Sequence, residues 1–138
     1  MPLFEQVLDK YPESVKIVYK QYPLPFHQQA IPAALASLAA SEQGRFWEYH
    51  DELFQNQNNL SPEKFLEIAR GLGLDLKKFS LDMMRPSLRQ KIEQDIADGK
   101  KAGVAGTPTV FVNGRKLKNR NLEEISRLID EARAELQN

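Results

Sequence analysis

Cysteine is absent from all 138 residues of this chain, which removes disulfides, thiolate nucleophiles and cysteine metal sites together. The redox compartment stays open, because neither a reducing nor an oxidising environment excludes a cysteine-free protein. Only two histidines are present, too few for a convincing zinc site without carboxylates at matching spacing. Excess charge is missing as well. Nineteen Lys and Arg offset 19 Asp and Glu, so no overall field points to nucleic acid, an acidic substrate or a membrane surface. The longest basic cluster, Arg115 to Arg120, reads as a solvated hairpin rim. No apolar run approaches the ~20 residues of a membrane span, and residues 1–20 lack the basic start and apolar run of a signal peptide. Nothing in the sequence calls for a cofactor or a metal ion.

What is present is most informative at Gly103-Val104-Ala105-Gly106-Thr107-Pro108-Thr109-Val110-Phe111-Val112-Asn113-Gly114. Thr109 to Val112 is β-branched and aromatic and favours a strand, and Asn113-Gly114 is a strong signal for a two-residue hairpin turn, pairing that strand with Arg115 to Lys118. Gly106 supplies backbone freedom ahead of it. A proline is tolerated as the first residue of a strand, and Thr107-Pro108 in a tight turn is a candidate cis bond, although trans is the ordinary form.

The remainder reads as helices around one further strand. Leu3, Phe4, Val7, Leu8 and Tyr11 follow a helical stripe from the start of the chain. Val15 to Tyr22 combines β-branched and aromatic residues with partial alternation and predicts a strand, stopped by Pro23-Leu24-Pro25-Phe26. An alanine-rich helix over His27 to Gln43 carries Ile31, Leu35 and Leu38 at helical spacing. Phe46 to Gln55 predicts an aromatic helix with Trp47 as a core anchor. Ser61 caps the next helix with Pro62 in its first turn, and Asp75 caps a short one through Met83. Ser87 to Ala102 places Leu88, Ile92, Ile96 and Ala97 inward and closes at Gly103. Asn121 caps a last helix whose Leu122, Ile125, Leu128, Ile129 and Ala132 mark its buried side. His50 reads as a satisfied, partly buried histidine flanked by the outer-face charges Glu48 and Asp51, and His27 as a surface or capping residue.

In order and spacing, these segments resemble the DsbA-like thiol-disulfide oxidoreductases, over nearly the whole chain. Val15 to Tyr22 running into Pro23-Leu24-Pro25-Phe26-His27 looks like that family's second core strand and turn. Gly44-Arg45-Phe46-Trp47-Glu48-Tyr49-His50-Asp51-Glu52-Leu53-Phe54 is similar to its aromatic insertion helix, and Gly103 to Gly114 to its cis-proline loop and terminal hairpin. The resemblance implies an α/β thioredoxin-like fold in one domain over residues 1–138. Residues 28–102 would form a helical insertion, and residues 103–138 the cis-proline loop, hairpin and C-terminal helix. It also implies a cis Thr107-Pro108 bond.

The family's first strand and its Cys-x-x-Cys pair have no counterpart here, so the resemblance implies a chain truncated before or within the first helix. Such a chain has no catalytic residues and is redox-inactive, because exchange needs a thiolate attacking a disulfide sulfur. Gly106, Thr107 and Pro108 would bind an extended protein or peptide substrate of the full-length parent, with Phe26 and His27 flanking the site. The missing strand would lie between Val15 to Tyr22 and Thr109 to Val112. Those two strands are expected either to pair directly or to have the gap filled by a homo-oligomer. Relatives work outside the cytoplasm, which implies an extracytoplasmic parent. The alternative is a non-catalytic thioredoxin-fold module that binds a protein partner.

Overall fold

The computed structural model describes residues 2–137. In chain order the elements are α1 (Pro2–Lys10), α2 (Ala30–Ser41), α3 (Phe46–Gln55), α4 (Pro62–Gly71), α5 (Leu76–Met83), α6 (Pro86–Lys101), β1 (Phe111–Val112), β2 (Arg115–Lys116) and α7 (Leu122–Leu136). They fall into two compact units. A hairpin unit holds the residues through Tyr19 and those from Val104 onward, and a helical unit holds Lys20–Gly103.

In the hairpin unit, β1 and β2 form an antiparallel pair with Phe111 opposite Lys116 and Val112 opposite Arg115. Leu117 N–H donates to Val110 O at 2.9 Å, which carries the pairing one step further. The reversal is made by Asn113 and Gly114, both at positive φ (46° and 81°), a backbone open to glycine and tolerated by asparagine. α1 packs against α7 because each carries an apolar stripe at helical spacing. Val7 and Tyr11 meet Leu117, Ile125, Leu128 and Ile129, with Leu3, Phe4, Val15, Val110 and Val112 packed around them. The polar groups at this seam are satisfied locally. Tyr11 Oη donates to Asp130 Oδ1 at 2.9 Å, and Lys10 Nζ donates to Ser126 Oγ at 3.0 Å. Asn121 caps α7 as expected, its Oδ1 accepting from Glu124 N–H at 2.8 Å.

In the helical unit, the core is built on the small face of α2. Ala36, Ala39 and Ala40 are fully buried, and Tyr49, Phe65 and Phe79 pack on them. Alanine stripes let helices approach closely, so rings from α3, α4 and α5 can share one layer. Tyr49 Oη donates to Phe65 O at 2.9 Å, and burial pushes that phenol well above its ordinary pKa. Ser61 and Asp75 cap α4 and α5, accepting from Lys64 N–H and Lys78 N–H. Asp95 of α6 is buried and accepts the Gln21 N–H at 2.9 Å and a bond from Lys91 Nζ, while Gln21 Nε2 donates to Ser37 Oγ. Gly99 lets Tyr22 lie on α6, since a Cβ there would meet the tyrosine ring at 2.6 Å.

Several expectations are corrected. Residues 15–22 form no strand: the segment has no regular structure and alternates covered Val15, Ile17, Tyr19 and Gln21 with exposed Lys16, Val18 and Lys20. β propensity is a preference for a pleated, half-buried surface, and a ladder also requires a partner backbone. The expected direct pairing with Thr109 to Val112 is absent, because β1 pairs only with β2 among the described residues. Both hairpin strands are shorter than predicted. Trp47 is 40 % exposed, and Tyr49, two residues on and fully buried, is the anchor of α3. Ala97 is exposed, and Asp95 takes the inward place on α6 because its carboxylate has a backbone donor to meet. The alanine-rich helix begins at Ala30, which leaves His27 in the preceding turn.

Candidate functional site

The segment from Val104 to Val110 connects to β1 without regular structure, and its shape comes from local bonds. The Thr107–Pro108 peptide is cis, as the resemblance implied. Thr109 Oγ1 donates to Gly106 O at 2.6 Å and ties the two ends of the turn together. Thr107 and Pro108 are exposed, and Gly106 is half-buried. Neither the N–H nor the C=O of Thr107 is hydrogen-bonded among the described residues.

Pro108 lines an open groove of about 710 Å³ within the hairpin unit. Its apolar wall is Pro2, Leu3 and Phe4 of α1 with Pro108 and Val110. The β2–α7 connection, Lys118, Asn119, Arg120 and Asn121, completes the lining. That connection is held in place by Glu124, whose carboxylate accepts Lys118 N–H at 2.9 Å and Asn119 N–H at 2.7 Å. The Lys118 backbone bond is the main cause that keeps the Glu124 carboxyl below its ordinary pKa, and the Asn119 bond adds to it. The side chains of Lys118 and Arg120 are exposed and have no salt-bridge partner among the described residues. The sequence marked this stretch only as a solvated rim. No local signal brings Pro2 to Phe4 beside Pro108, since the two stretches meet through the α1–α7 packing.

Phe26 and His27 lie in the helical unit, in the turn ahead of α2, with their ring centroids 4.6 Å apart. Phe26 is 76 % exposed. Gly106, Thr107 and Pro108 belong to the hairpin unit. His50 is buried on α3, its Nδ1 3.2 Å from Asp51 Oδ1 and its ring against Phe54. Among the described residues no group of three or more His, Cys, Asp or Glu side chains is arranged to hold a metal ion, and no helix is long and apolar enough to cross a membrane.

Comparison with known proteins agrees with this fold. A profile described as Thioredoxin matches residues 2–131. A crystal structure of a thioredoxin-like oxidoreductase from Silicibacter pomeroyi superposes with a TM-score of 0.82 at 29 % identity, over 97 % of this chain and 77 % of that one. The oxidoreductase DsbA of Xylella fastidiosa superposes at 0.72 with 22 % identity, over 96 % and 79 %, which speaks for the fold alone. Curated relatives include the Na+/H+ antiporter NhaA of Herminiimonas arsenicoxydans, 40 % identical over 95 residues, and NhaA 3 of Salinispora tropica, 40 % identical over 116. Those matches take in 69 % and 83 % of this chain but only 15 % and 18 % of the antiporters' length. Without a thiol, these residues cannot themselves carry out thiol–disulfide exchange. The chain belongs to the thioredoxin family and has the DsbA-like form of its fold.

Proposed function

We propose that this chain supplies the polypeptide-binding part of a thiol-disulfide oxidoreductase. Gly106, Thr107 and Pro108 present backbone to an extended protein segment, and the thiol pair that acts on it comes from outside these 138 residues. The observation that carries the reading is Thr107, which is exposed with both backbone polar groups unengaged. An incoming extended segment then meets one donor and one acceptor, as in β-augmentation. The resemblance alone gives Phe26 and His27 a flanking role. It alone also supports an extracytoplasmic setting and a second copy of the chain as the source of a strand beside Val15–Val18.

The test is a titration of the isotope-labelled chain with a reduced, unfolded polypeptide, followed by amide chemical shifts. Shifts should concentrate at Gly106, Thr107, Thr109 and Val110, and their absence there sinks the reading. In parallel, insulin reduction by dithiothreitol should run at its background rate with the chain added. Any acceleration would show chemistry that a cysteine-free sequence does not explain.

A second reading is favoured by the antiporter matches, in which a segment like this one makes up a small share of a longer protein. Here the same domain would be appended to a membrane transporter and bind a protein partner without exchanging disulfides. The coding sequence around these residues separates the two. A Cys-x-x-Cys pair shortly before Pro2 supports the oxidoreductase, and a series of ~20-residue apolar spans with no such pair supports the appended module.

A further inference from the structure

We infer that the groove beside Pro108 selects extended peptides carrying an acidic residue next to an apolar one, with Lys118 and Arg120 as the specificity-determining side chains. The inference rests on the peptide-binding reading of Gly106–Pro108 and adds a substrate class to it. One wall of the groove is apolar, formed by Leu3, Phe4 and Val110, and suits an apolar side chain of a segment lying along the loop. The same lining includes two exposed cations, Lys118 and Arg120.

Four cations elsewhere in the hairpin unit are engaged, whereas the exposed Lys16 and Lys116 form no salt bridge among the described residues. Arg115 and Arg127 pair with Glu131, Lys10 donates to Ser126, and Arg133 lies over the Tyr11 ring. Lys118 and Arg120 have no such partner among the described residues. Glu124, the acid nearest in the chain to be bound at this connection, has its two oxygens taken by the Lys118 and Asn119 backbone N–H groups. It anchors the connection and attracts the Lys118 charge without forming a salt bridge to either Lys118 or Arg120. A carboxylate delivered by a bound segment gains two attractive contacts and displaces no existing ion pair. A basic residue at the same place is repelled. Interactions of this exposed kind sort partners by charge and weaken with salt.

The experiment uses three extended peptides that differ at one position beside an apolar residue, carrying Asp, Asn or Lys. Affinity is read by fluorescence anisotropy and location by amide shifts. The Asp peptide should bind about three- to tenfold more tightly than the Lys peptide at low salt, as exposed ion pairs are individually weak. The preference should shrink as salt rises to about 0.5 M, where screening acts within ~4 Å. It should vanish in K118Q/R120Q, two exposed substitutions that leave the Glu124 backbone bonds in place. Equal affinities with shifts at Gly106–Val110 overturn the selection and leave the peptide-binding reading standing. Absence of binding by all three peptides overturns both. Shifts confined to Lys118–Asn121 overturn selection on the loop, and a preference that survives K118Q/R120Q overturns the assignment to these two residues.

Discussion

The helical unit and the hairpin unit both bury apolar side chains, yet they treat their backbones differently. In the helical unit most backbone polar groups are spent inside helices, and several outside them have partners: Ser61 and Asp75 cap helix starts, and the buried Asp95 collects the Gln21 N–H. In the hairpin unit, among the described residues, Val15–Val18 has no regular structure and no ladder, β1 is paired along one edge only, and Thr107 has neither backbone group engaged. Side-chain burial alone therefore does not mark where a protein meets a partner. Exposed, unpaired backbone can offer main-chain hydrogen bonds to an extended segment, which is the contact proposed for Thr107.

This contrast can be broken by mutation. The largest effect should come from Phe79→Ala, which empties a fully buried site in the helical unit and should cost ~3–5 kcal/mol in urea unfolding. A cost under ~1 kcal/mol would mean that the alanine-lined layer does not carry that unit. Asp95→Ala should come next, at ~1.5–3 kcal/mol, since it strands the Gln21 N–H that a charged acceptor had satisfied. Hydrogen exchange at the Gln21 amide should rise in the same variant, and an unchanged rate would show another acceptor taking over.

Trp47→Ala should cost less, ~1–2 kcal/mol, because its ring is 40 % exposed although it meets Phe46 edge-on at 5.0 Å. A loss as large as that of Phe79→Ala would restore Trp47 to the core. The smallest effect concerns acid. Glu124 and Glu131 in the hairpin unit and Asp82 in the helical unit have folded pKa values below the ordinary range. The main causes are the Lys118 backbone bond, the Arg115 hydrogen bond and the Lys78 hydrogen bond respectively. Groups with depressed pKa contribute stability above their unfolded value near ~4 and lose it as pH falls through the lower folded value. The melting temperature should therefore be level above about pH 5 and fall below about pH 4. Glu124→Gln should flatten part of that acid fall and expose the Lys118 and Asn119 amides to exchange. Unchanged protection there would remove Glu124 as the anchor of the groove wall.

Much of the architecture was legible in the chain because it depends on near neighbours. Ser61-Pro62, Asp75 and Asn121 predicted helix starts, since a cap needs only a side-chain oxygen and an amide three residues on. Asn113-Gly114 predicted the reversal, since positive φ is a local demand. Trp47 and Ala97 were misplaced because a stripe of apolar residues says that a helix has a buried side without saying how far that side extends. Tyr49 could bury its ring with a partner for its hydroxyl, and Asp95 could be inward only because a backbone donor met it.

The site divides in the same way. Gly106-Thr107-Pro108 stood out as a motif, and the absence of cysteine excluded thiol chemistry by these residues whatever the fold. Composition settles that kind of exclusion, and spacing settles caps and turns, because both are properties of the chain alone. The strand that residues 15–22 failed to form and the groove joining Pro2–Phe4 to Pro108 and Lys118–Asn121 were decided by tertiary structure. A ladder and a groove each require two distant stretches of backbone, and only packing determines whether the second arrives.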